Sequence, residues 1–400
     1  RRRPCKGSDM TPRGRHFFAN PGPTNIPDRI HHAIAHHSVD FNGPDFLAVY
    51  DACVAGLKGV LRTRQHLFMY TGSGHAAWEA TLTNLLSAGD RILVIETGHF
   101  SEGWAKMAAD LGIEVETLPA DWRRGVEYAA LHAALAADGG HAIKAVCAVH
   151  NETSTGITLD LPRIRATLDQ AGHPALFLVD TISSLGCLDY RHDEWGVDAA
   201  VGGSQKGLML PVGFGFTAVS DKGMAAHARS TLPKHYFSWT TMQQRRHKSF
   251  IGTVPIALFY GLRESLRIIE EEGLDNVLAR HRRLAEATRR CVRHWSGNDG
   301  PQIYCLSADR VSDSVTSILM PEGHDAEALR RRVATMNVAL GGGLARLAGK
   351  VFRIGHLGDL NEPMLLGTLA ATEVGLRLEG IPHAPGGVQA AMAYLAETAP

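Results

Sequence analysis

Between residues 66 and 220 the chain repeats one pattern: a short apolar run, a turn, a stretch of helical spacing, then another apolar run. The runs are HLFMY (66–70), RILVIE (91–96), EVETLP (114–119), AIKAVCAVH (142–150), ALFLVD (175–180), DAAVGGS (198–204) and GFGFTAVS (213–220). Helical patterns lie between them at 76–90, 101–111, 128–137 and 161–170. Short, continuously apolar strands must be covered on both faces, and the intervening helices supply that cover. The alternation predicts an α/β fold built on a mostly parallel sheet.

After about residue 255 the texture changes. Two long helical stretches (255–273 and 274–295) precede strand candidates SVTSILM (314–320) and KVFRIGHL (350–357), with helices at 325–336 and 364–378. This predicts a smaller α+β domain. The expected division is a basic extension (1–16), a large domain (17–265) and a small C-terminal domain (266–400).

Composition excludes several classes. The 400 residues include 41 basic and 41 acidic side chains, so no overall field recommends nucleic acid or a membrane surface as a partner. No apolar run reaches the roughly 18 residues that a bilayer-spanning helix needs. The six cysteines are scattered, without a C-x-x-C pair. That pattern argues against a metal site or a disulfide framework and suits a reducing compartment, so a cytoplasmic location is expected. The opening RRRPCKGSDMTPRGRH is Arg-rich but lacks an apolar core. It is expected to be a disordered extension, with an organelle transit segment as the alternative.

In open α/β sheets, ligands bind beyond the carboxyl ends of the strands, and four features fall there. The first is TGSGHAAWEA (71–80), a Gly-rich strand-to-helix turn in which Ser73, Gly74 and His75 suit a phosphate. A tight turn that simply needs glycine is the plainer reading. The same residues spell G-x-G-x-x-A, with Glu96 closing the next strand, a loose dinucleotide fingerprint that keeps an NAD-dependent dehydrogenase open. The second is Asp180, which ends ALFLVD and suits a ring nitrogen, a ribose or a metal, or a plain N-cap. The third is Lys206 in VGGSQKGLMLPVGFGF, the single charge between Asp198 and Asp221. An apolar setting disfavours an ammonium and leaves a nucleophilic amine that forms Schiff bases with carbonyls. The fourth is Arg353 in the apolar pattern VFRI, where a guanidinium grips a carboxylate or makes a structural salt bridge. Phosphate cradle, ring-nitrogen acid, Schiff-base lysine and carboxylate clamp are together the parts of a pyridoxal phosphate (PLP) enzyme. A dehydrogenase leaves Lys206 idle.

At these residues the sequence resembles the class V aminotransferases of PLP fold type I, in the serine/alanine–glyoxylate group. The matching strings are PGPTNIP (21–27), TGSGHAAWEA (71–80), HNETSTG (150–156), VDTISSLG (179–186), GSQKGLMLPVG (203–213), TVPIALFYGLRESL (253–266), EEGLDNVLARH (271–281) and KVFRIGHLGD (350–359). The resemblance implies a mostly parallel seven-stranded sheet flanked by helices in the large domain, with a smaller α+β domain after it. It implies PLP attached to Lys206, with Asp180 at the ring nitrogen. Ser73, Gly74, His75 and Gln205 would surround the phosphate, and Thr153 would lie near the ring hydroxyl or phosphate. Phe100 would stack on the ring and Ile182 on its other face. Arg353 would hold the substrate α-carboxylate, with the Pro21–Gly22 backbone nearby. Thr253 would reach the phosphate of a partner subunit, making a homodimer with active sites at the interface.

One position departs from the pattern: Phe250 stands where alanine–glyoxylate members carry tyrosine. The implied reaction moves an amino group from serine to glyoxylate, giving glycine and hydroxypyruvate, with alanine or aspartate as alternative donors. A cysteine desulfurase would need a cysteine in the small domain's mobile loop, and none follows Cys305. A catalytically silent PLP-fold binding protein is the other alternative. The segment HYFSWTTMQQRRHK (235–248) matches nothing in the family, and its tryptophan and arginines are candidates for selectivity.

Overall fold

The apolar runs form strands where the sequence predicts them. The protein's structure, a computed structural model, describes residues 14–245, 248, 250 and 252–399. Residues 1–13 of the basic extension, and Arg246 and His247 of the segment without a family match, therefore lie outside the described residues. In chain order the strands are β1 (Phe17–Ala19), β2 (His66–Gly72), β3 (Arg91–Glu96), β4 (Glu114–Pro119) and β5 (Ile143–Val149). The two-residue β6 (Asn151–Glu152) and β7 (Ile157–Thr158) follow, then β8 (Leu176–Asp180), β9 (Ala199–Gly203) and β10 (Gly213–Val219). The last four are β11 (Gln302–Ile303), β12 (Val315–Leu319), β13 (Val338–Gly342) and β14 (Val351–Gly355).

Seven strands make one sheet in the order β2-β10-β9-β8-β5-β3-β4. β10 runs antiparallel to β2 and β9, and the other pairings are parallel. This is the mostly parallel seven-stranded sheet expected. Its pleat sorts alternate residues into two apolar layers. Leu93, Ile95, Phe177 and Val179 enter one layer, and Ile92, Val94, Leu176 and Leu178 the other. Helices Pro44–Leu61, Leu161–Gln170 and Ile256–Glu272 close the first layer; Gly74–Leu85 and His99–Asp110 close the second. Burial on both faces is why these strands read as unbroken apolar runs rather than alternating ones.

A second sheet has the order β1-β13-β14-β12-β11 and packs against helices Leu274–Trp295, Ala326–Ala334, Glu362–Leu378 and Gly387–Glu397. β1 pairs in parallel with β13, so residues 17–19 belong to this sheet although they open the described chain. From there the chain returns to the first sheet, where Thr24 Oγ1 donates to the Lys206 carbonyl at 3.2 Å. The expected boundary at 265/266 falls inside helix Ile256–Glu272.

Two helices begin earlier than their apolar spacing suggests, at Gly74 rather than residue 76 and at His99 rather than 101. The first turn of each is made by the Gly-rich or polar residues of the strand-to-helix turn, before the apolar face begins. Those first turns therefore lie at the carboxyl edge of the sheet, with their N–H groups directed away from the helix body.

Candidate active site

β8 and β9 are parallel neighbours, with Asp180 opposite Val201. Asp180 closes β8, and Lys206 follows β9 by three residues. Both line a cavity of about 200 Å³ at the carboxyl edge of the sheet. Gly22, Gly74, His75, Phe100, Thr153, Ile182 and Gln205 share its wall. Of the residues picked out from sequence, Ser73, Thr253 and Arg353 stand outside that wall.

Lys206 is 9 % exposed. Its Nζ donates to the Pro21 carbonyl. Gly22, at φ 115°, lies so close that a methyl group there would overlap the end of the lysine side chain, so conformation and space both demand glycine. Burial lowers the Lys206 pKa to about 8; the Arg353 guanidinium adds to this and Asp180 pulls the other way. Asp180 accepts two neutral donors, the Ile182 N–H on Oδ1 at 2.6 Å and the Trp78 indole N–H on Oδ2 at 2.8 Å. Burial pushes its pKa up to about 7 in spite of them. Within one cavity, then, an amine is made easier to deprotonate and a carboxyl harder to ionise.

The two helix starts at this edge differ. Ser73 occupies the N-cap position of Gly74–Leu85 but makes no side-chain cap, and the N–H groups of Gly74 and His75 have no partner among the described residues. That open N-terminus suits an anion. The start of His99–Asp110 is already satisfied by Glu152, a fully buried carboxylate from the hairpin beyond β5. Its Oε2 accepts from Phe100 N (3.1 Å) and Ser101 N (3.2 Å), and its Oε1 from Ser154 N (3.1 Å) and Ser154 Oγ (2.6 Å). The carboxylate favours the positive end of the helix and fixes the backbone that carries the Phe100 ring.

Arg353 comes from β14 of the second sheet and is 6 % exposed. Nε donates to Gly342 O at 2.7 Å and Nη1 to Thr153 O at 3.0 Å, so it ties the second sheet to the cavity loop. Burial lowers its pKa to about 10. Nη2 has no hydrogen-bond partner among the described residues. Thr253 is exposed, in the stretch leading into helix Ile256–Glu272. Phe250 is buried against the rings of Phe214 and Phe259, at 6.1 and 5.6 Å between centroids, a setting that suits an apolar ring. Trp239, a selectivity candidate from sequence, instead belongs to the core, stacked on Phe68 at 4.8 Å.

Sequence reasoning missed three residues here: Glu152, Trp78 and the cavity-lining Asn151. All lie inside the family-like strings HNETSTG and TGSGHAAWEA. An acid in a run of small hydroxyl residues is the signal that was available for Glu152.

These residues fit pyridoxal phosphate. A buried amine suits its aldehyde, a buried carboxyl its ring nitrogen and an open helix N-terminus its phosphate. The oxygens Gln205 Oε1 and Asn151 Oδ1 are buried without a hydrogen-bond partner, and a carboxamide exchanges its two ends by a flip. No helix among the described residues is long and apolar enough to cross a membrane, and no group of potential metal ligands occurs among them.

Comparison with known proteins agrees with this geometry. Residues 16–348 match the family Aminotransferase class-V. The chain is 44% identical over 393 residues to a serine–glyoxylate aminotransferase of Methylorubrum extorquens, covering 96% of this chain and 97% of that protein. It is 40% identical to an L-aspartate–glyoxylate aminotransferase of Paracoccus denitrificans, covering 94% and 96%. The crystal structure of an alanine–glyoxylate aminotransferase from Nostoc sp. superposes with a TM-score of 0.84 at 30% identity, covering 92% and 97%. The chain belongs to the class-V aminotransferases.

Proposed function

We propose that this enzyme moves the amino group of a small L-amino acid, serine ahead of alanine and aspartate, to glyoxylate, releasing glycine and, from serine, hydroxypyruvate. The observation that carries the reading is the meeting of Lys206 and Asp180 in one cavity, in a chain similar to three proteins named as glyoxylate aminotransferases with three different donors.

PLP is the cofactor, and when bound it supplies an electron-withdrawing ring that stabilises the negative charge left when a Cα–H proton departs. Lys206 Nζ would hold its aldehyde carbon, and Asp180 its ring nitrogen. The N–H groups of Gly74 and His75, with Ser73 and Gln205, would hold the phosphate, and Thr153 the ring hydroxyl or phosphate. Phe100 and Ile182 would flank the ring. Once the donor's amino group displaces it from that carbon, the freed Lys206 Nζ takes the donor's Cα proton and later returns one to the acceptor's Cα. Its lowered pKa supports this double use, since an amine near pH 8 exchanges protons readily at neutral pH. Arg353 would receive the substrate α-carboxylate through its unpaired Nη2, with the Gly22 backbone alongside.

The working unit we propose is a homodimer in which Thr253 reaches a partner's phosphate site. Its exposure, and that of Val212 at the cavity wall, support this. We place the enzyme in the cytoplasm, a reading supported by the free, buried thiols of Cys53, Cys147, Cys187, Cys291 and Cys305.

Glycine formation from glyoxylate with serine, alanine, aspartate and other amino acids in parallel tests the proposal. Serine is expected to give the highest kcat/KM; no turnover with any donor would sink the glyoxylate assignment. Lys206→Ala is expected to retain no PLP after borohydride reduction, and trapped cofactor in that variant would relocate the attachment site.

A further inference from the structure

The hydrogen bond to Asp180 from Trp78 has no counterpart in the sequence reading and no role in the mechanism so far. Trp78 is 1 % exposed, in the second turn of helix Gly74–Leu85, whose open start suits the phosphate. Its indole stacks on Trp104 at 5.9 Å between centroids and 16° between planes, and it also meets His75 at 4.4 Å. Trp104, its partner in the stack, has an indole N–H with no hydrogen-bond partner. Packing in this layer therefore does not require an indole hydrogen bond, yet Trp78 spends its single donor on Oδ2 of Asp180 across 102 positions of sequence.

A carboxylate held through one oxygen alone is less restrained about its Cβ–Cγ bond than one held through both. The Ile182 N–H, supplied by the local turn after β8, holds Oδ1. A second donor on the other oxygen fixes the plane of the carboxylate. Each oxygen still keeps a lone pair for a third N–H. Both donors are neutral, so they orient the group without cancelling the charge that a pyridinium needs opposite it.

We propose that Trp78 is a positioning residue: its indole N–H locks Asp180 in the orientation in which the carboxylate meets the cofactor's ring nitrogen, and so links the phosphate-binding helix to the ring-nitrogen acid. This rests on the assignment of Asp180 to that nitrogen.

The test compares PLP with its 1-deaza analogue, in which a C–H replaces the ring nitrogen. Affinities of both for the apoenzyme are measured in wild type, Trp78→Phe and Trp104→Phe. Wild type is expected to prefer PLP. Trp78→Phe is expected to lose about tenfold in PLP affinity, the scale of one hydrogen bond to a charged group, with little change for the analogue. Trp104→Phe is expected to leave the ratio of the two affinities unchanged. Equal weakening of both cofactors in Trp78→Phe would reduce Trp78 to packing and overturn the proposal, as would no change with either. If Trp78→Phe fails to fold, Trp78→Leu, which also lacks the donor, is measured in its place. A wild type that binds both cofactors equally would overturn the Asp180 assignment itself, a separate result.

Discussion

Asp180 and Asp198 sit on adjacent parts of one sheet, each 4 % exposed, at opposite ends of the parallel strands. Asp198, just before β9, is fully matched: it accepts from Phe177 N at 2.9 Å, from Ser220 Oγ at 2.9 Å and from Lys222 Nζ at 3.2 Å. Asp180, at the carboxyl end of β8, has two neutral donors and no cation within hydrogen-bonding distance. Equal burial thus hides different chemistry. A carboxylate paired with lysine is a fixed part of the framework, whereas one given only dipoles has its charge uncompensated until a cation enters the cavity.

The contrast has measurable consequences. Asp180→Asn, which removes the charge proposed to face the ring nitrogen, is expected to lower kcat by about 10²- to 10³-fold, the scale of losing one preorganised electrostatic contact. Asp198→Asn should leave kcat within a small factor and instead lower the melting temperature, at a cost of about 1–3 kcal/mol for the orphaned donors. If the two variants exchanged phenotypes, the assignment of framework and site would be reversed.

The third consequence is in pH. Because the folded chain raises the Asp180 pKa to about 7, its folded state holds a proton that the unfolded chain has already released. That stabilising contribution is full below the ordinary carboxylate range and is lost as pH rises through about 7. Apo wild type should therefore lose stability relative to apo Asp180→Asn between about pH 4 and 7, by at most about 1.4 kcal/mol per unit. Parallel melting curves across that range would show that burying this charge carries no cost.

Much of this was legible in the chain itself. Buried parallel strands read as apolar runs, and RILVIE corresponds to β3 residue for residue; EVETLP matches β4 equally closely, although that edge strand is mostly exposed. Asp180 and Lys206 stood out because charge is scarce in such runs. Other features carry weak local signals. β1 and β11 have three and two residues, too few for a period, and the strand β13 (VALGG) has the composition of a turn. The sequence reading includes no element between Gly22 and His66, where the structure has helices Asp28–Ile34 and Pro44–Leu61. Trp78 and Glu152 lay inside recognised strings, but their roles come from partners 102 and 52 residues away, which spacing along the chain does not encode.

Arg353 adds a last point. The groups proposed to hold the cofactor are drawn mainly from residues 73–206, on the first sheet, while the proposed carboxylate anchor stands on β14 and reaches the cavity through Thr153 O. On that assignment, recognition of the carboxylate and bond-breaking fall on separate stretches of chain, tied together by Arg353 and also by the Asn151–Ser314 and Ser317–Ser154 hydrogen bonds. Because every α-amino acid presents the same carboxylate, the proposed anchor would seat all donors alike, and a change of donor would have to come from residues elsewhere in the cavity while anchor, lysine, carboxyl and phosphate cradle stay as they are.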